Sequence, residues 1–175
     1  MNSFSDEDLK QLTRQTANTL IDRGWLLSAA ESCTGGWVAK CCTDLVGSSA
    51  WFDRGFVTYS NHSKQELVNV KKSTLEQFGA VSEQTVLEMA RGALQNSNAD
   101  ISVSISGIAG PDGGTDEKPV GTVWFAWATK DSAKSELHHF SGDRDAVRRQ
   151  AVAIALQMVT GIDKKRLDME RTYLA

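Results

Sequence analysis

The distribution of apolar residues is the feature that most constrains the fold, because stretches with helical spacing alternate with short apolar runs. Ser5 can cap a first helix that ends at Gly24, and residues 25–30 (WLLSAA) then predict a buried strand. The same reasoning predicts strands at 51–59, 101–106, 120–128 and 136–140, and helices at 37–45, 60–68, 82–93 and 142–159. This alternation predicts a single three-layer α/β/α domain with a mixed, mostly parallel sheet.

Length and charge limit the classes of function. The 175 residues suit one domain, which we expect over residues 1–160, followed by a charged tail at 161–175. A formal net charge of −3 argues against general nucleic-acid binding, and no stretch approaches the roughly 20 apolar residues that span a bilayer. The first residues are acidic and polar, unlike a secretory signal. We expect a cytoplasmic protein without a nucleic-acid or membrane partner.

The residues that commonly bind metals form no recognisable ligand set. Cys33, Cys41 and Cys42 lack the spacing of a zinc or redox site. His138 and His139 would face opposite sides of a strand, which argues against a shared metal ion. We therefore expect neither a metal nor a cofactor.

The first candidate site is the segment 31–36 (ESCTGG), directly after a predicted buried strand and before a helix. Ser32 would lie where free N–H groups and the positive end of a helix dipole converge, as a nucleophile requires. Backbone N–H groups from Cys33 to Gly36 could hold an oxyanion, and the two glycines permit close approach of a ligand. The alternative interpretation is a plain helix cap followed by a glycine turn.

The second candidate is Lys64, at the start of a short helix that follows a strand. If it is buried, its pKa falls from about 10.4 toward neutrality, which makes it a general base for a serine. Tyr59 lies on the same segment and could orient the reacting groups. The alternative is an ordinary solvated lysine.

The third candidate is the serine-bearing strand 101–106 (ISVSIS), which runs into a glycine-rich loop. A serine face indicates either close packing of a helix or a polar pocket that includes Ser106. Gly107, Ala109 and Gly110 follow at the strand end, where α/β folds bind ligands. The alternative is a flexible loop, because the segment matches neither nucleotide-binding glycine motif.

The fourth candidate is the pair Arg144 and Arg148, four residues apart on one face of the last helix. Arginines near a helix N-terminus oppose its dipole unless an anion joins them, so the pair suits a phosphate. Ion pairing with Asp143 and Asp145 is the alternative.

Taken together, these segments resemble the family of the C-terminal domain of the competence/damage-inducible protein CinA, and within it the stand-alone nicotinamide-nucleotide amidohydrolases. The resemblance covers residues 27–158 and is carried by AESCTGGWVAK (30–40), GSSAWFDRGFVTYSN (47–61), GAVSE (79–83), SISGIAGPDGG (104–114), KPVGTVWFA (118–126) and FSGDRDAVRRQA (140–151).

The resemblance implies deamidation of nicotinamide mononucleotide to nicotinate mononucleotide and ammonia, within pyridine-nucleotide salvage, by a homo-oligomer. It implies a Ser/Lys dyad, with Ser32 as nucleophile and Lys64 as base, assisted by Tyr59. Ser48, in another family motif, is the second candidate nucleophile. The residues expected to bind substrate are Cys33, Thr34, Gly35, Gly36, Ser48, Ser106, Gly107, Ala109, Gly110, Arg144 and Arg148.

Two other functions stay open from the sequence. A family member could bind nucleotides as a regulator without turnover. Alternatively, Cys33 could be the nucleophile, since it lies beside the same helix start.

Overall fold

A computed structural model describes residues 4–161. Its strands are β1 (Leu27–Glu31), β2 (Phe52–Val57), β3 (Ile101–Gly107), β4 (Thr122–Thr129) and β5 (Ala133–His139). Its α-helices are α1 (Asp6–Arg23), α2 (Trp37–Thr43), α3 (Asn61–Val68), α4 (Lys72–Phe78), α5 (Glu83–Gln95) and α6 (Arg144–Thr160).

The strands form one mixed sheet in the order β2-β1-β3-β4-β5. β1 lies parallel to β2 and β3, whereas β4 lies antiparallel to both β3 and β5. Four of these five strands therefore run in the same direction, which confirms the predicted mixed, mostly parallel sheet.

Helices cover both faces of the sheet, so the predicted three layers are confirmed. α1, α2 and α6 pack on one face over a core that includes Leu27, Ile105 and Phe125. α3, α4 and α5 cover the other face. Helix α5 approaches the sheet closely, because the hydroxyls of Ser102 and Ser104 donate to its carbonyls at 2.7 and 2.6 Å. Close helix packing therefore explains these two serines.

Helix ends are predictable where the sequence supplies a cap. The Ser5 side chain accepts a hydrogen bond from the first turn of α1, and Gly24 ends that helix in the left-handed conformation, as predicted. Helix α4 is missing from the prediction because its N-cap residue, Lys71, makes no side-chain cap and only seven residues follow. It forms because it buries Leu75 and because Thr74 bonds to Glu88 of α5.

The parallel strands determine where a site can form. Since β1, β2 and β3 run parallel and adjacent, their carboxyl ends meet at one edge of the sheet. Ser32, Thr58 and the loop 108–121 follow these three ends. Among the described residues no helix is long and apolar enough to cross a membrane. Except for Gly161, the tail predicted at 161–175 lies outside the described residues.

Candidate active site

Ser32 lies at the carboxyl end of the central part of the sheet. Its N–H donates to the carbonyl of Ile105 at 2.9 Å, which continues the pairing of β1 with β3 by one residue. The chain then turns sharply through Gly35 and Gly36, both with positive φ angles of 62° and 96°, into α2. Only 9% of Ser32 is exposed. The nucleophile predicted from sequence is therefore nearly buried at the carboxyl edge of the sheet.

Lys64 reaches Ser32 from the first turn of α3, which is capped by Ser60. Its Nζ lies 3.0 Å from Oγ of Ser32 and donates to the carbonyl of Thr58 at 2.7 Å. Lys64 is 1% exposed, and burial lowers its pKa to about 8. A substantial fraction is therefore neutral near pH 8. In that form one N–H can stay on the Thr58 carbonyl while the lone pair accepts the Ser32 proton.

Glu31 is a residue of the site for which the sequence pattern predicted no role. Its buried carboxylate accepts hydrogen bonds from the N–H groups of Gly36, Val38 and Ala39 at 3.1, 3.0 and 2.9 Å. It thereby caps α2 from a strand instead of from the N-cap position, where Gly36 supplies no side chain. The available signal was an acid at the end of an apolar strand, directly before a helix.

The cap changes which amides can serve as oxyanion donors. The N–H of Gly36 bonds to Glu31, and that of Gly35 donates to the Ser32 carbonyl at 3.1 Å. Within residues 4–161, the N–H groups of Cys33 and Thr34 donate to no other residue. The expected donor set of residues 33–36 therefore narrows to these two amides.

The Cys33 side chain is buried and is not placed as a reactive thiol. It belongs to the core cluster under α2 and α6, and burial raises its pKa to about 12. A thiol with that pKa is almost entirely protonated at neutral pH. This environment disfavours the cysteine-hydrolase alternative.

We expect a Cys33→Ala variant to keep its activity within a few-fold of wild type, because a buried neutral thiol takes no part in the chemistry. The measurement is steady-state kinetics with nicotinamide mononucleotide. Cys42→Ala, which removes another buried thiol, is the control. Loss of activity in Cys33→Ala alone, with its melting temperature retained, would identify Cys33 as the nucleophile.

Tyr59 and Arg144 meet at the same carboxyl edge of the sheet, outside Ser32. Arg144 donates from Nη2 to the Tyr59 hydroxyl at 3.2 Å and from Nη1 to the Gly110 carbonyl at 2.8 Å. Tyr59 is 63% exposed, and its hydroxyl has no hydrogen bond to Ser32 or Lys64 in the described part of the chain. This contact joins the segment after β2, the loop after β3 and the start of α6.

Arg148 lies one turn further along α6 and faces the nucleophile loop. Its Nε and Nη2 donate to the carbonyls of Cys33 and Thr34 at 3.0 and 3.1 Å. Its guanidinium also stacks over the Trp37 ring, 5.2 Å from the centroid. The predicted arginine pair is therefore divided, because Arg144 bonds to Tyr59 and the Gly110 carbonyl and Arg148 to the carbonyls of Cys33 and Thr34.

The other predicted site residues divide between the two edges of the sheet. Gly107 and buried Ala109 lie at the carboxyl edge, beside Ser32. Ser106 is also there, but its hydroxyl is buried and donates to the Ala80 carbonyl at 2.7 Å. Ser48 precedes β2, whose first residue pairs with the first residue of β1. It therefore lies at the opposite edge from Lys64, about one strand length away.

The fold and this constellation define a class: a three-layer α/β domain with a buried, hydrogen-bonded serine–lysine pair at the carboxyl edge of its sheet. The family model described as the CinA C-terminal domain matches residues 9–162. The chain belongs to the CinA C-terminal domain family.

Individual relatives agree with that assignment. The chain is 61% identical over 155 residues to "Nicotinamide-nucleotide amidohydrolase PncC" of Escherichia coli (strain K12), covering 88% of this chain and 94% of the relative. It is 52% identical over 130 residues to the protein of the same name from Pseudomonas putida, covering 74% and 81%. The crystal structure of the competence/damage inducible protein CihA from Agrobacterium tumefaciens aligns with a TM-score of 0.86 at 42% identity, covering 92% of this chain and 98% of that one.

Proposed function

We propose that this protein is an amidohydrolase that converts nicotinamide mononucleotide to nicotinate mononucleotide and ammonia, with Ser32 as nucleophile and Lys64 as base. The observation that carries the proposal is the 3.0 Å contact between Lys64 Nζ and Ser32 Oγ. The substrate follows from the relative named as a nicotinamide-nucleotide amidohydrolase at 61% identity.

The first half of the reaction forms an ester on Ser32. Neutral Lys64 accepts the hydroxyl proton while Oγ attacks the carboxamide carbon. The N–H groups of Cys33 and Thr34 donate to the resulting oxyanion. Collapse of this intermediate breaks the C–N bond, and the ammonium of Lys64 returns the proton to the departing nitrogen, so that ammonia leaves.

The second half hydrolyses the ester. Lys64 takes a proton from water, whose oxygen attacks the same carbonyl carbon, and Ser32 leaves with the proton that Lys64 returns. The product is the nicotinate carboxylate. The positive pyridinium ring makes the amide more electrophilic, and its proximity favours the neutral form of Lys64.

Arg144 is the proposed contact for the 5′-phosphate, because it lies beside exposed Tyr59 and keeps three guanidinium N–H groups beyond its bonds to Tyr59 and Gly110. We expect Arg144→Ala to lower kcat/KM for nicotinamide mononucleotide by roughly 10- to 150-fold, the loss of one charge-assisted contact. The loss should be small for nicotinamide riboside, which lacks the phosphate.

The matched variant for this prediction is Tyr59→Phe. It removes the hydroxyl to which Arg144 donates but keeps the Arg144 guanidinium. We expect it to lower kcat/KM for nicotinamide mononucleotide by a few-fold and to leave the riboside nearly unchanged, because the hydroxyl contacts Arg144 and neither Ser32 nor Lys64. An unchanged substrate ratio in Arg144→Ala would show that the phosphate binds elsewhere.

The experiment that tests the proposed function is ammonia release from nicotinamide mononucleotide by the purified protein. The dinucleotide, free nicotinamide and glutamine are the comparison substrates. We expect rapid release from the mononucleotide and little from free nicotinamide or glutamine. Nucleotide binding without ammonia release would instead identify a silent, regulatory family member.

The proposed setting is pyridine-nucleotide salvage in the cytoplasm. Cys33, Cys41 and Cys42 are free and buried, which suits a reducing compartment. A homo-oligomer stays a prediction, which light scattering coupled to size-exclusion chromatography tests.

A further inference from the structure

We propose that Arg148 is a positioning residue that orients the two oxyanion donors beside Ser32, the N–H groups of Cys33 and Thr34. This inference rests on the proposed function, because it assigns a role within the same serine chemistry. In this inference Arg148 binds the protein backbone, and not the phosphate that the arginine spacing suggests.

The first observation is the way Arg148 uses its guanidinium. One edge of the fork, Nε with Nη2, donates to two consecutive carbonyls, those of Cys33 and Thr34, at 3.0 and 3.1 Å. The guanidinium carbon also lies over the Trp37 ring, 5.2 Å from its centroid, which further restrains the fork. The edge best suited to bidentate binding of a phosphate is therefore already occupied by the protein itself.

The second observation concerns the effect of these hydrogen bonds on the peptide groups of residues 32–35. A trans peptide group is planar, so its C=O and the following N–H point in opposite directions. Holding the Cys33 carbonyl toward Arg148 therefore directs the N–H of Thr34 away from Arg148. The Ser32 carbonyl accepts from Gly35 in the same manner, which orients the N–H of Cys33.

The third observation is that the support on both sides of the loop is rigid. Arg148 extends from α6, a 17-residue helix capped by Asp143 and held by buried Val147 and Ala151. On the other side Glu31 holds the first N–H groups of α2. The loop carrying Ser32 is thus held through its carbonyls by one element and through its amides by another, before any substrate binds.

Two neighbouring arginines allow a matched test. Arg148 and Arg149 both lie over the Trp37 ring, at 5.2 and 5.0 Å from its centroid, but within residues 4–161 Arg149 bonds only to Asp6 and Asp145. We expect Arg148→Ala to lower kcat by roughly 10²-fold, as for loss of an oxyanion donor, with KM nearly unchanged. Arg149→Ala should stay within a few-fold of wild type in both constants.

The substrate ratio separates positioning from phosphate binding. In Arg148→Ala the ratio of kcat/KM for nicotinamide mononucleotide to that for the riboside should equal the wild-type ratio. A selective loss for the mononucleotide would overturn the inference in favour of phosphate binding. If Arg148→Ala does not fold, Arg148→Lys keeps the charge and stem without the fork, and the same fall in kcat is expected.

A readout that does not depend on the substrate tests the role of Arg148 separately from the proposed amidohydrolase function. A dialkyl fluorophosphate transfers its phosphoryl group to the serine oxygen, fluoride leaves, and the phosphoryl oxygen uses the same donors. We expect Arg148→Ala, but not Arg149→Ala, to slow labelling of Ser32, measured by mass spectrometry, by about the same factor as kcat. Slowed labelling in a protein that releases no ammonia would refute the proposed function and support this inference. Equal labelling rates, or an unlabelled wild type, would overturn it.

Discussion

Ser32→Ala and Lys64→Met are each expected to lower kcat for ammonia release by roughly 10³- to 10⁶-fold, because each removes one member of a single catalytic unit. The contact of 3.0 Å between their reacting atoms is the basis of this expectation. Methionine fills most of the volume of the buried lysine stem, so this variant separates chemistry from packing. The double variant should be about as impaired as either single one, since the two residues act together.

The control for this prediction is Ser48→Ala, measured in parallel for kcat and for melting temperature. Ser48 lies at the opposite edge of the sheet, so this variant should stay close to wild type. Normal turnover in Ser32→Ala together with inactive Ser48→Ala would assign the nucleophile to Ser48.

The second large effect is expected from Glu31. Glu31→Leu should lower the free energy of unfolding by roughly 3–5 kcal/mol, because three N–H groups at the start of α2 lose their acceptor and Val38 N is buried. For a domain of this size such a loss lowers the melting temperature by about 10 °C. Glu31→Gln should cost less, since one amide oxygen remains as an acceptor.

The comparison variant is Glu83→Gln. Glu83 is likewise at the start of a helix, but it is exposed and accepts one hydrogen bond, from Ser135. We expect a change within about 1 kcal/mol there. Urea unfolding, monitored by circular dichroism, gives the free energy of unfolding of both variants. A Glu31→Leu protein as stable as Glu83→Gln would show that the cap contributes little.

Local signals account for the parts of the fold that the sequence predicts. Ser5 and Gly24 define α1 because capping depends on residues within one turn of the helix end. The apolar run after Gly24 likewise predicts β1. Helix α4 escapes prediction because its stability comes from contacts with α5, which no local pattern contains.

The site is predictable as a set of residues but not as an arrangement. Ser32 and Lys64 stand out by their positions after strands, yet their contact depends on β2 pairing beside β1. The partners of Arg148 lie more than 100 residues away along the chain, so spacing alone suggested a phosphate instead of two carbonyls. Ser48 is close to Lys64 in sequence, but β2 separates them.

The central claim is that neutral Lys64 activates Ser32, and the pH dependence of kcat/KM tests it most directly. That profile reports groups of the free enzyme. Below its pKa of about 8 Lys64 is protonated and cannot accept the serine proton, so activity should rise with pH through a midpoint near 8. Nicotinamide riboside, which has no titrating phosphate, should give the same midpoint. A rate independent of pH between 6.5 and 9.5 would contradict the assignment of Lys64 as the base.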